Sequence, residues 1–170
     1  MINIASIMHN DGANGPGLRC TVFVQGCDRK CKGCHSSHTW PFGKGTDFTI
    51  DELISECTSN PLDGGITFTG GDPIFQYEEL TPVVKYLHSK GYGLWLYTGA
   101  KISELDLKIF TCTGFCEFLD YFDCIVAEPF EIDKRDTSLK YRGSSNQKIV
   151  YMERDEDDIP HFVDITDKFN

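Results

Sequence analysis

Short apolar runs rich in β-branched and aromatic residues alternate along this chain with longer stretches of helical period. Residues 2–8 alternate weakly between apolar and polar, which predicts an edge strand. Cys20 to Gln25 is β-branched and aromatic and predicts a buried strand. Ile66–Thr69, Gly93–Thr98, Asp123–Glu128 and Gln147–Tyr151 give four more strands. Between them, Thr49 with Glu52 three residues on makes a capping box for a helix over about 50–59, ended by Pro61 and Gly64-Gly65. Leu80, Val83, Val84 and Leu87 share one face of a second helix over about 76–90, which Gly91 stops. A third begins at Ser103. Residues 111–120 carry no decisive pattern, and 129–146 read as polar and irregular.

Strands alternating with helices predict an α/β fold with a mostly parallel sheet and right-handed crossovers. The 170 residues fit one domain over 1–170 and are too few for an eight-fold barrel, so an incomplete TIM-like β/α barrel is expected. Its active edge lies at the carboxyl ends of the strands. Four segments end there: Gly26–Cys34, Gly70–Pro73, Thr98-Gly99, and the chain from Glu128 onward.

Charge narrows the partners. Sixteen Lys and Arg against 26 Asp and Glu give a net charge of −10, a field that repels phosphate backbones and argues against nucleic acid. Glu153 to Asp158 supplies much of the acidity and reads as a solvated turn. No apolar run is long enough to span a bilayer, and Met1–Met8 lacks the features of a signal peptide, so the cytoplasm is the expected location.

That compartment bears on the eight cysteines, which are expected to be thiols or metal ligands rather than disulfides. Cys27, Cys31 and Cys34 follow a C-x3-C-x2-C spacing on a loop broken by Gly26, Gly33 and charged residues. A cubane iron–sulfur cluster takes four thiolates. Three would leave one iron open to a substrate or cofactor. A zinc site with His35 or His38 as fourth ligand is the rival, although zinc favours two ligand pairs across a longer spacer. Cys112, Cys116 and Cys124 could hold a second metal but read better as free thiols. Cys20 and Cys57 read as small core residues, His9, His88 and His161 as isolated, and Tyr92, Trp95 and Tyr97 as core. Gly70-Gly71, directly after a strand, is either a tight turn or a close main-chain approach to a ligand.

These residues carry a resemblance. The cysteine spacing with Gly70-Gly71-Asp72-Pro73 resembles the radical S-adenosylmethionine enzymes. Asn14 to Cys27, Cys31 to Cys34, Thr39-Trp40, Thr69 to Pro73, Tyr97 to Gly99 and Tyr141 to Gln147 are most similar to the activases of anaerobic ribonucleoside-triphosphate reductases. The match runs in register from about residue 14 to 150. Gly33, where the wider superfamily often has an aromatic residue, agrees with that subfamily. The resemblance implies a [4Fe–4S] cluster on Cys27, Cys31 and Cys34 and S-adenosyl-L-methionine as second cofactor. It implies Gly70 and Gly71 at the methionyl amino group, and Gly33, Cys34 and His35 along the nucleotide through their main chain. Asp72 would assist by charge or cap the next helix. The implied partners are the large subunit of the reductase, which receives a glycyl radical, and an electron donor such as flavodoxin. Another glycyl-radical enzyme as target, or a non-catalytic zinc-binding docking module, stand as alternatives. No acid–base residues beyond the cluster ligands are expected. Asn14–Gly17 and Arg142–Gln147 are expected as loops near the docking face.

Overall fold

A computed structural model describes residues 1–170. The strands are β1 (Ile2–Asp11), β2 (Arg19–Val24), β3 (Thr46–Phe48), β4 (Gly65–Gly70), β5 (Gly93–Tyr97), β6 (Cys124–Ala127), β7 (Lys148–Arg154) and β8 (Pro160–Asp164). The helices are α1 (Ile50–Cys57), α2 (Tyr77–Ser89), α3 (Ile102–Thr111) and α4 (Phe115–Asp120). The strands form one open sheet in the order β3-β1-β2-β4-β5-β6-β7-β8.

The β2-β4-β5-β6 segment is parallel, and each strand in it after β2 follows a helix-bearing connection. Both flanks are antiparallel: β1 with β2 and β3 on one side, β6 with β7 and β7 with β8 on the other. The expected parallel character is therefore confined to the centre. β7 turns back because only a loop separates it from β6, and antiparallel neighbours need no helical crossover. The expected edge position of β1 is also corrected. Thr46–Phe48 pairs outside it in a stretch too short and polar to announce a strand.

Alternation on the central strands divides two cores. Ile66, Phe68, Leu94, Leu96, Ile125 and Val150 face the helices with Leu53, Leu80, Val83, Val84 and Leu87, all fully buried. Trp95, Cys124, Val126 and Ile149 face the other way, beneath Tyr97, Tyr141 and Phe169. Each fully buried aliphatic side chain contributes roughly 1.5–3 kcal/mol of transfer free energy.

Local chemistry sets the helix bounds. Thr49 accepts the Glu52 amide at 3.2 Å while the Glu52 carboxylate accepts the Thr49 amide at 2.8 Å, completing the capping box of α1. Pro73–Gln76 forms a 3-10 turn leading into α2, capped by the Asp72 side chain. Gly91 takes a φ of 82° just past the end of α2. At the amino ends of the central strands, buried Arg19 ties three of them together. Its guanidinium donates to Thr67 Oγ1 at 2.7 Å, to the Ile66 carbonyl at 2.9 Å and to the Gly93 carbonyl at 2.7 Å.

Candidate iron–sulfur centre

The loop after β2 is pinned at its base. Gly26 N donates to the Thr39 carbonyl at 2.7 Å and Cys27 N to the Trp40 carbonyl at 3.0 Å, so Gly26–Trp40 closes as a hairpin-like lobe. Gly26, Lys30 and Gly33 have φ of 107°, 48° and 76°. These left-handed residues turn the chain around its cysteines. A Cβ on Gly26 would lie 2.5 Å from the Phe42 ring, which covers it.

The next strand end docks on this loop through glycine. Gly71 N donates to the Val24 carbonyl at 2.8 Å and Asp72 N to the Gly26 carbonyl at 3.0 Å. A Cβ on Gly71 would strike the Gly26 carbonyl, and one on Gly70, at φ 100°, would lie 2.6 Å from the Phe23 Cα. The glycine pair is thus required first for backbone packing against the cysteine loop. That same packing sets both segments on one wall.

Behind the wall sits a charged network. Arg29, inside the cysteine loop, donates Nε to Asp72 Oδ2 at 2.6 Å and both Nη groups to Glu104 at 3.0 Å. Gly99 N donates to the same Asp72 oxygen at 3.1 Å. Burial raises the Asp72 carboxyl above its usual range, with the Arg29 charge opposing it. The Arg29 hydrogen bonds hold the Glu104 carboxyl below its range. One ion-paired cluster therefore fastens the loop after β2 to the ends of β4 and β5.

The cleft that results is lined by Cys27, Cys31, Cys34 and Arg29, by Trp40, by Thr69 to Gly71, by Tyr97 to Gly99, and by Phe130 and Gln147. All four segments expected at the active edge meet there. It offers about 600 Å³ including its open mouth, within the size range of small-molecule sites. Cys27 is buried, while Cys31 and Cys34 are half-buried and none of the three is in a disulfide. Burial pushes the Cys27 and Cys31 thiols above their ordinary range.

The donor set fits a cluster better than a single ion. The one His/Cys/Asp group whose ligand atoms all lie within 4.8 Å of one another is elsewhere, at His9, Cys20 and Asp63. The three loop thiols do not form such a group. The Tyr97 hydroxyl, buried on the cleft wall, has no hydrogen-bond partner within the chain. A buried hydroxyl left unpaired points to a ligand that completes it.

Of the residues expected here, Cys27, Cys31, Cys34, Gly70 and Gly71 line the cleft. Gly33 and His35 are exposed on the rim, with Gly33 against Ile132. Asp72 lies behind the wall. Arg29, Tyr97, Phe130 and Gln147 were not expected. Tyr97, read as core, is a wall residue on the face of β5 opposite the helices. Gln147 arrives because its side chain accepts the Gly143 and Ser144 amides at 2.8 and 3.2 Å and donates to the Glu128 carbonyl at 3.3 Å. That folds the Arg142–Gln147 loop over the end of β6. Cys112 and Cys116 remain partly exposed thiols and Cys124 a buried one.

The family described as a 4Fe-4S single cluster domain matches residues 13–150. The anaerobic ribonucleoside-triphosphate reductase-activating protein of Salmonella typhimurium is 33% identical over 150 residues, covering 84% of this chain and 94% of that protein. The protein of the same name from Pasteurella multocida is 35% identical over 159 residues, covering 88% and 97%. Among solved structures, QueE from Escherichia coli is similar over 58% of this chain and 53% of its own. Its TM-score of 0.48 and identity of 18% are too low to bear on function.

Proposed function

Because this chain belongs to the anaerobic ribonucleoside-triphosphate reductase-activating proteins, we propose that it installs the glycyl radical of that reductase, using S-adenosylmethionine and a [4Fe–4S] cluster. The observation that carries this reading is the meeting of three thiols, a main-chain glycine wall and an unpaired buried hydroxyl in one cleft. When bound and reduced, the cluster would supply the electron for reductive cleavage of S-adenosylmethionine and so the hydrogen-atom abstraction that makes the glycyl radical.

The chain's own residues hold and orient. Cys27, Cys31 and Cys34 would hold the cluster through their thiolates and leave it open to the methionyl part of S-adenosylmethionine. Gly70 and Gly71 offer their main chain to the amino group. Cys34, with Gly33 and His35 exposed beside it, would line the nucleotide through main chain. Asp72 acts through Arg29, which keeps the cysteine loop seated. Tyr97 and Gln147 give the bound cofactor polar partners on the far wall, while Trp40 and Phe130 exclude water, which protects a reactive radical from side reactions.

On this reading residues 1–170 are one radical S-adenosylmethionine domain, and the β2-β4-β5-β6 segment with its helices is the remnant of a β/α barrel. No helix is long and apolar enough to cross a membrane. A cytoplasmic one-electron donor of the flavodoxin kind suits the chemistry. The family match over residues 13–150 weighs against the zinc-module alternative.

Anaerobic reconstitution with iron and sulfide, followed by dithionite and S-adenosylmethionine, tests the reading. It predicts 5′-deoxyadenosine and methionine in equal amounts. A protein that takes up iron but leaves the cofactor intact would overturn it.

A further inference from the structure

A second group of metal-ligating side chains lies at the other end of β2 from the cysteine loop. His9 on β1 places Nδ1 2.6 Å from Asp63 Oδ2, in the loop before β4. Cys20, at the start of β2, completes a trio whose ligand atoms all lie within 4.8 Å of one another. Cys57, the last residue of α1, is fully buried with its thiol against that of Cys20. The four residues come from four separate segments: three bring their ligand atoms into one group, and Cys57 lies beside Cys20.

Core packing alone does not account for the arrangement. The Asp63 carboxylate is fully buried and oriented by the Asn10 amide, which donates to its second oxygen at 2.8 Å. The His9 ring, 23% exposed, is its sole cationic partner, and Glu56 Oε1 faces the other ring nitrogen at 3.4 Å. Two thiols and a buried carboxylate thus gather around a single imidazole, the mixed donor set of a metal site.

We propose that His9, Cys20 and Asp63 bind a zinc-type divalent ion, with the Cys57 thiolate entering as fourth ligand. Sulfur, nitrogen and oxygen donors together suit zinc and exclude magnesium and calcium, which take oxygen alone. On binding, the ion replaces the proton shared by His9 and Asp63, and each thiol that ligates releases its proton to solvent. To reach the separations of a tetrahedral zinc site, about 3.3–3.8 Å, the His9–Asp63 pair opens from 2.6 Å while Cys20 closes from within 4.8 Å. The metal would join β1, β2, α1 and the loop before β4, and so stiffen the strand that carries the cysteine loop at its far end.

The test uses the iron-reconstituted protein, in which the loop thiols are already occupied. It is incubated anaerobically with zinc sulfate, desalted, and assayed for zinc and iron by mass spectrometry and for zinc ligation by X-ray absorption. The expected result is about one zinc per chain beyond the iron, in a mixed sulfur and nitrogen/oxygen shell. His9→Ala, chosen because the ring is partly exposed, and Asp63→Asn should each weaken zinc affinity at least ~10-fold with iron unchanged. Three results would overturn the proposal: no zinc retained, zinc retained equally by the wild type and His9→Ala, or an all-sulfur shell lost on Cys31→Ala.

Discussion

Arg29 and Asp72 meet at 2.6 Å, joining the cysteine loop to the turn after β4, and Asp72 is only 1% exposed. Removing one partner of such a pair costs more than the pair contributes, because the other charge stays buried alone. Arg29→Met should therefore destabilise the protein by about 3–5 kcal/mol. Asp72→Asn should cost less, since Arg29 keeps Glu104 and the amide oxygen still accepts from Gly99. Thermal unfolding of both variants checks the order. Equal losses would show that the pair does not carry the load assigned to it.

Gly71→Ala places a methyl group against the Gly26 carbonyl, where both neighbours are backbone and neither can yield cheaply. A loss of about 1–3 kcal/mol, as for overpacked sites, is expected, with iron retention falling alongside. Gly12→Ala, where nothing lies within 4 Å, is the control and should leave both unchanged.

The cysteine loop and the strand-end glycines were legible in the sequence because their chemistry is written in short-range spacing. The capping box at Thr49 and Glu52 was legible for the same reason. What escaped depends on contacts between distant residues. Arg29 read as one more loop charge until the fold brought Asp72 to it. Tyr97 looked like core because alternation on β5 does not say which face is covered. Thr46–Phe48 and Pro160–Asp164 became strands through pairing with β1 and β7, not through their own weak propensity. His9 read as isolated, Cys20 and Cys57 read as small core residues, and Asp63 drew no reading, because no local pattern links them.

Tyr97→Phe removes a buried hydroxyl that has no partner in the chain. The cofactor-free protein should gain about 1–3 kcal/mol, while affinity for S-adenosylmethionine falls. Urea unfolding and a binding titration on the same variant separate the two effects. A loss of stability would mean the hydroxyl is satisfied without the cofactor.

Cys31→Ala and Cys34→Ala should each abolish retention of a stable cluster, measured as iron and sulfide per chain after desalting. Cys112→Ala and Cys116→Ala, on the helical side of the molecule, should retain it. Loss of iron in the second pair would assign the cluster to other thiols.

The most direct test of the central claim joins the two proteins. The reconstituted, reduced chain is mixed anaerobically with S-adenosylmethionine and the anaerobic ribonucleoside-triphosphate reductase, and the sample is frozen for electron paramagnetic resonance. The account predicts a doublet from a carbon-centred glycyl radical on the reductase, absent when Cys31→Ala replaces the wild-type chain. Cofactor cleavage without that doublet would contradict the assignment of the reductase as target.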